Sequence, residues 1–349
     1  MKVDAIVVGM GLAGLAMVDH LQKRGKSVMV FDSRQKGASH RAAGVYNPTI
    51  LKRYTMAWEG PALLKYAVSF YRKLELELEQ KFLHPLSIAR IFSSVAEQNM
   101  WTTAADKKQF SYFLNPSLHH TVPPSIKAPF GFGLVHHVGR LNIPKLLESY
   151  QEKLISSNSW RQEPFQYNRL VHNKQQLLYD GITAQHLIFC EGVSAWNNPF
   201  FKDLPLRGSH GDIIRIYAEG LDSSRIWKSG LFIVPQGENL FWVGASFNNH
   251  YKQNIPTDKG QEWLVQQLER VINVPYEIQS SEACIRPTIG DRRPLLGTHP
   301  EYNRIHLLNG LGSRGVLTAP QMAAYLCRAI YDELPLPEAV NLERFSSLC

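Results

Sequence analysis

Three glycines and one aspartate carry the first chemical signal in this chain. Gly9, Gly11 and Gly14 stand in the run Gly-Met-Gly-Leu-Ala-Gly directly after the apolar segment Val3 to Val8. Asp32 ends a second apolar run, Val28-Met29-Val30-Phe31. This spacing suits a dinucleotide. The first glycine permits a tight turn off a strand, the second lets backbone approach a pyrophosphate, and the third lets a helix pack close to the strand. The N–H groups at the start of that helix point at the phosphates. Asp32 stands where a carboxylate accepts ribose hydroxyls.

The elements that must position these residues follow from the pattern around them. Val3 to Val8 reads as a buried strand, and Leu12, Leu15, Val18 and Leu21 give the next helix an apolar stripe. Gly25 sits where a glycine ends such a helix. Near the other end of the chain, Ile305 to Asn309, Gly310-Leu311-Gly312-Ser313-Arg314-Gly315 and a helix through Ala323, Leu326 and Ile330 repeat the strand, glycine loop and helix order. A nicotinamide dehydrogenase has no need of a second loop there. An extended dinucleotide, with its reactive ring far from its adenosine, does.

Between these ends, Leu63, Ala67, Phe70 and Leu74 predict a helix from about Gly60 to Phe82. Asn142 as cap and Pro144 in the first turn predict another to about Leu154, and a third runs from about Lys259 to Ile272. His186 to Cys190 reads as a short buried strand ending at Glu191-Gly192, and Asp212 to Tyr217 and Leu240 to Gly244 as further strands. Gly37 to Pro48 is too polar for a strand and too rich in turn formers for a regular helix. Ile88 to His120 mixes short strand-like runs with a polar stretch.

With 349 residues the chain is long enough for two domains. Its formal charge of +8 suits an anionic partner such as a nucleic acid, an anionic cofactor with carboxylate substrates, or an ordinary basic surface, and no dense lysine or arginine block decides among them. Cys190, Cys284, Cys327 and Cys349 have neither C-x-x-C nor histidine spacing, which argues against a zinc site or a disulfide framework and for a reduced, cytoplasmic setting. No metal is expected. Asp4 interrupts what would otherwise resemble a signal peptide. No run approaches the roughly 18 apolar residues of a membrane span, so no membrane partner is expected.

Taken in order, several pieces resemble the FAD-dependent D-amino-acid oxidase superfamily, which includes glycine oxidase, sarcosine oxidase-like enzymes and the FAD domain of the bifunctional tRNA methylaminomethyl-uridine enzyme. They are the N-terminal fingerprint, Ser39 to Pro48, Glu191-Gly192 with Ser194 and Trp196, Leu206-Arg207-Gly208, Ile285-Arg286-Pro287 with Asp291, Pro294 and Gly297, and Gly310 to Pro320. The resemblance implies an α/β fold with a Rossmann-like FAD-binding domain, discontinuous over 1–75, 135–205 and 275–349, and a mixed-sheet substrate domain over 76–134 and 206–274.

It also implies that FAD is held by Gly9, Gly11, Leu12, Ala13, Gly14, Asp32, Ser33, Ser39, His40, Arg41, Ala42, Ala43, Gly44, Gly192, Trp196, Gly310, Gly312, Ser313, Arg314, Gly315 and Val316. Arg286 matches the family arginine that pairs with an amino-acid carboxylate; the alternative is a structural salt bridge, for instance with Asp291. Tyr46, Trp242 and Tyr251 are either pocket-lining or filler. Relatives with FAD bound covalently to histidine carry it where this chain has Arg41, one place after His40, and none of the cysteines matches the cysteine-linked position, so FAD is expected to be noncovalent. Ser313 stands where glycine oxidase has an arginine, with Arg314 beside it.

The expected chemistry is oxidation of the C–N bond of an amino acid or secondary amine by hydride transfer to flavin N5, with no dedicated side-chain base if the amine binds neutral. One alternative is an FAD-dependent oxidase acting on a modified tRNA wobble uridine, for which an arginine and lysine stripe at the pocket mouth would speak. Another is a flavin-binding protein without turnover.

Overall fold

The computed structural model describes residues 1–173 and 176–348. Its first layer is an eight-stranded sheet whose centre is Lys2–Val8, almost continuously buried, as expected for a strand covered on both faces. Val28–Phe31 lies parallel on one side and Ile182–Phe189 parallel on the other, in register Val8↔Phe31 and Val8↔Phe189. Trp160–Arg161 extends the sheet beyond Val28–Phe31, and Ile305–Asn309 pairs parallel with Leu187 to Phe189. Parts of the sequence three hundred residues apart therefore end at one edge of one sheet, where ligands of open α/β sheets bind.

Helices Leu12–Lys23 and Gly315–Tyr331 cover this sheet side by side, joined by the His20 ring nitrogen 3.0 Å from the Pro320 carbonyl oxygen. Asn142 does cap its helix, accepting from Lys145 N–H, and the helix runs Ile143–Ser156. The helix expected to reach Phe82 spans Gly60–Glu77. It stops early because the Glu75 carboxylate accepts the N–H groups of Phe82 and Leu83, both at 2.7 Å, and turns the chain back on itself. Val95–Ala105 forms a helix that its weak periodicity hid, capped by Ser94.

The second layer is a seven-stranded mixed sheet in the order Glu277–Ile289, Leu206–Tyr217, Leu240–Gly244, Phe232–Gly237, Ile226–Lys228, Ile88–Ile91, Phe132–Val135. Its register sets one row across all seven strands: Glu282, Ile213, Gly244, Phe232, Lys228, Arg90 and Gly133. Glu277–Ile289 pairs along its length with Leu206–Tyr217. We therefore propose that the division expected at 275 lies after Ile289. A small sheet of Val45–Tyr46, Gly139–Leu141 and Leu83–Pro85 bridges the two layers. Among the described residues no helix is long and apolar enough to cross a membrane.

Candidate cofactor and substrate site

The N-terminal glycines are fixed by contact as well as by turn geometry. Gly9 has φ +92°, and a Cβ on Gly14 would lie 1.9 Å from the Gly9 carbonyl oxygen. Helix and strand meet backbone to backbone there. Gly11 precedes the helix without a side-chain cap, leaving the first-turn N–H groups facing outward. Ser39 Oγ accepts one of them, from Leu12, at 3.2 Å, and a Cβ on Gly11 would approach that oxygen to 2.9 Å. Leu12 and Ala13 turn their side chains into the core.

Asp32 Oδ2 accepts Met10 N–H at 2.6 Å and Oδ1 accepts Arg34 N–H at 2.7 Å, which aims the carboxylate and leaves each oxygen a lone pair. Ser33 Oγ accepts only a distant 3.5 Å bond from Gln35 N–H. A concavity that a Cβ would fill, uncapped helix N–H groups and an aimed carboxylate fit a dinucleotide.

The segment after Asp32 holds a single helical turn, Ala38–Arg41, where the sequence predicts no regular element. It is pinned between the two layers. Trp242 Nε1 donates to the Arg41 carbonyl at 2.8 Å, the Arg41 guanidinium donates to Lys36 O, and its Nε lies 3.5 Å from Glu282, which also accepts Arg215 Nε at 2.9 Å. His40 Nδ1 is buried without a partner among the described residues, and burial holds the imidazole below its usual pKa while Asp32 opposes. Past Ala42 and Ala43 the chain turns at Gly44, φ +78°, whose Cβ would lie 1.9 Å from Leu141 O. Tyr46 packs in the core, its phenol pushed up to about 12 by burial.

The C-terminal loop is tied to the middle of the chain by Asn309. Its Nδ2 donates to Gly192 O at 2.8 Å and its Oδ1 accepts Gly310 N–H at 2.8 Å. Gly310 and Gly312 have φ +71° and +57°. Gly312 lies against Thr288 and Pro287, and Gly315 against Leu12. Thus the two glycine loops meet. Ser313 is exposed, Val316 is buried with its carbonyl accepting Tyr71 OH at 3.0 Å, and Arg314 has no hydrogen-bonded acceptor for its guanidinium among the described residues. Trp196 stands apart, bonded to Leu206 O at 2.9 Å and packed on Gly208 at the edge of the second sheet.

Arg286 projects from Glu277–Ile289 on the same face as Glu282, and its guanidinium lies where any Cβ on Gly211 would sit, 2.1 Å from Nη2. Its protein contacts are long: 3.4 Å to Ser209 O, 3.5 Å to His210 O and 3.5 Å to Ser246 O, with the exposed Phe247 ring 4.6 Å away. Burial holds its pKa below the usual arginine value. The alternative ion pair with Asp291 is not made: Asp291 binds Arg344 at 2.9 Å. Among the described residues no carboxylate comes within salt-bridge distance of Arg286. Tyr251 stacks edge-on to His210, 5.0 Å away.

One group received no role from the sequence. Glu191, next to the Cys190 carbonyl that crowds Gly9, has its carboxyl pushed up to about 7 by burial, while Tyr167 OH at 2.6 Å and Asn198 Nδ2 at 2.7 Å hold it. The available signal was an acid at the carboxyl end of a parallel strand. Cys190, Cys284 and Cys327 are free thiols, and Cys349 lies outside the described residues.

Fold and site together define a class: a dinucleotide-binding α/β layer joined to a mixed sheet that carries an unpaired arginine. The chain belongs to the FAD-dependent oxidoreductase family, whose model matches residues 4–329. Its cofactor is therefore FAD. It is 21% identical to a glycine oxidase of Bacillus licheniformis, over 91% of this chain and 90% of that one. It is 24% identical to the tRNA 5-methylaminomethyl-2-thiouridine biosynthesis bifunctional protein of Idiomarina loihiensis, over 98% of this chain but 59% of that one. In fold it resembles the crystal structure of glycine oxidase from Geobacillus kaustophilus, with TM-score 0.77, 17% identity and 97% of each chain covered.

Proposed function

We propose that this enzyme oxidises the C–N bond of an amino acid or secondary amine that carries a carboxylate, with FAD held noncovalently. The observation that carries this reading is Arg286: a guanidinium without a carboxylate partner among the described residues, set against Gly211 and held by long carbonyl contacts and the Phe247 ring. A planar guanidinium binds carboxylate through two parallel hydrogen bonds, which fixes the position of the carbon next to it.

Bound FAD supplies a two-electron acceptor. Gly9 to Gly14 with Ser39 would hold its pyrophosphate, Asp32 its ribose, and Gly310 to Gly315 with the start of the last helix would face its reactive end, where oriented N–H groups favour negative charge. Arg286 orients the substrate so that the carbon beside nitrogen loses hydride. The nitrogen lone pair then closes a C=N bond, an N–H proton passes to water, and hydrolysis gives a carbonyl compound and the free amine. The relatives named as glycine oxidases point to the same substrate class.

Anaerobic addition of small amino acids and N-alkyl amino acids to the purified holoprotein should bleach its flavin absorbance. Arg286→Leu should raise KM for carboxylate substrates about ten- to a hundredfold, the worth of a charge-assisted bond pair, with a smaller change in kcat. Unchanged KM sinks the assignment.

A second reading, oxidation of a modified wobble uridine in tRNA, is favoured by one observation. Arg207, Arg292 and Arg314 lie around Thr288 and Gly312 with no carboxylate within salt-bridge distance among the described residues. Bleaching by undermodified tRNA and not by free amino acids selects it. A protein that binds FAD but is bleached by neither would be the flavin carrier without turnover.

A further inference from the structure

Another arginine without a carboxylate partner among the described residues lies buried on the small sheet that bridges the two layers. Arg140 is 6% exposed, on the middle strand Gly139–Leu141 of the small bridging sheet. Its Nη2 donates to Gln236 O at 3.3 Å, its Nε is buried with no partner, and among the described residues no carboxylate lies within salt-bridge distance. A buried cation without a counterion is costly unless something else satisfies it. The register Val45↔Arg140↔His84 places Arg140 and His84 on one face. That face borders a cleft of about 350 Å³, lined also by Lys81, Ser223, Pro235 and Gly237, with no acidic side chain in its lining.

We propose that this cleft is an anion site, separate from the catalytic centre, that takes a phosphate or phosphoryl group. Arg140 supplies the guanidinium charge and the terminal N–H groups that Gln236 leaves free, Lys81 an ammonium, His84 an imidazole and Ser223 a hydroxyl. Four donors arranged around one cleft match the three free oxygens of a phosphoryl group better than the two of a carboxylate. Burial and the neighbouring Arg140 hold His84 below its usual pKa, a repulsion that a bound anion reverses. Glu75, the acid nearest His84, is already occupied by the N–H groups of Phe82 and Leu83.

The separation from Arg286 follows from the register. Arg286 pairs with Ser209, whereas the Gln236 hairpin adjoins Leu240, which pairs with Tyr217. Eight residues of extended strand lie between those levels, about 25 Å. The cleft volume exceeds one phosphate ion, so the occupant is either inorganic phosphate or the phosphoryl end of a small metabolite.

The test is equilibrium dialysis of labelled inorganic phosphate against full-length protein saturated with FAD, which fills the pyrophosphate cradle, at fixed ionic strength. One saturable site is expected. Arg286→Leu should retain it, whereas Lys81→Ala, an exposed position, and Arg140→Gln should each weaken it about tenfold. Should Arg140→Gln fail to fold, Lys81→Ala and competition decide. Phenyl phosphate competing more tightly than phosphate identifies a metabolite phosphoryl group; weaker competition identifies the free ion. The absence of saturable binding, affinity unchanged in Lys81→Ala, loss of the site in Arg286→Leu, or acetate competing as well as phosphate each overturns the proposal.

Discussion

Replacing Glu191 with glutamine should make the protein more stable at alkaline pH and leave it unchanged in acid. Folding raises the carboxyl from 4.5 to about 7, chiefly by burial. Below about pH 4.5 the group is protonated in folded and unfolded chains alike, and it contributes no pH dependence. Between 4.5 and about 7 the folded protein keeps a proton that the unfolded chain releases, so the stability of the native sequence falls as pH rises. Above about 7 the loss is complete, at about 3 kcal/mol for a rise of this size. Glutamine keeps an acceptor for Asn198 Nδ2 and can donate to the Tyr167 oxygen, so both present partners remain bonded. Urea denaturation of both proteins at pH 4, 5.5 and 8, all at saturating FAD, reads the effect; these three pH values bracket the two titrations. Equal stability of the two proteins at pH 8, or a constant gap at every pH, would refute the reasoning.

Gly14→Ala places a Cβ 1.9 Å from the Gly9 carbonyl and must part helix from strand, at about 1–3 kcal/mol of overpacking; FAD affinity of the apoprotein, followed by quenching of flavin fluorescence, should fall at least tenfold. Arg90→Met should destabilise by about 3 kcal/mol in urea, because it strips Glu97, 7% exposed, of its 2.5 Å ion pair while the carboxylate stays enclosed with Ser93 and Tyr54; a change under about 1 kcal/mol would mean the pair is solvated in solution.

The cofactor end of the molecule was legible because its residues are constrained locally. A glycine at 9, 11 or 14 is forced by a turn or a contact, and the nearly unbroken apolar run Val3 to Val8 ahead of them reads as a buried strand. The long strand Glu277–Ile289 was not, since Gln279, Ser280, Ser281 and Glu282 break the apolar pattern and only pairing with Leu206–Tyr217 holds them extended. Arg286 was found by resemblance, and its lack of a carboxylate partner emerged only when Asp291 proved engaged elsewhere. Glu191 showed in the sequence only as an acid at the end of a strand, and Arg140 gave no signal, for the character of both is set by what surrounds them in space. The burial of Tyr46, which the sequence left open between pocket and filler, has the same origin: an aromatic beside a glycine turn faces whichever side the neighbouring strand leaves open.

The contact between Gly9 and the Cys190 carbonyl, together with the Asn309 bridge to Gly192, bears on the history of each molecule as it is made. Val28–Phe31 follows the first strand by about twenty residues, but the partner on its other side, Ile182–Phe189, follows by some 180 and the loop at Gly310 later still. At roughly 5–20 residues per second that is a delay of tens of seconds. During it, the side of Val3 to Val8 that Ile182–Phe189 will cover is an unpaired apolar strand edge in need of protection from other chains. Cofactor capture therefore waits for the segment around Gly310, and a chain truncated before it would lack the whole glycine loop proposed to face the reactive end of FAD.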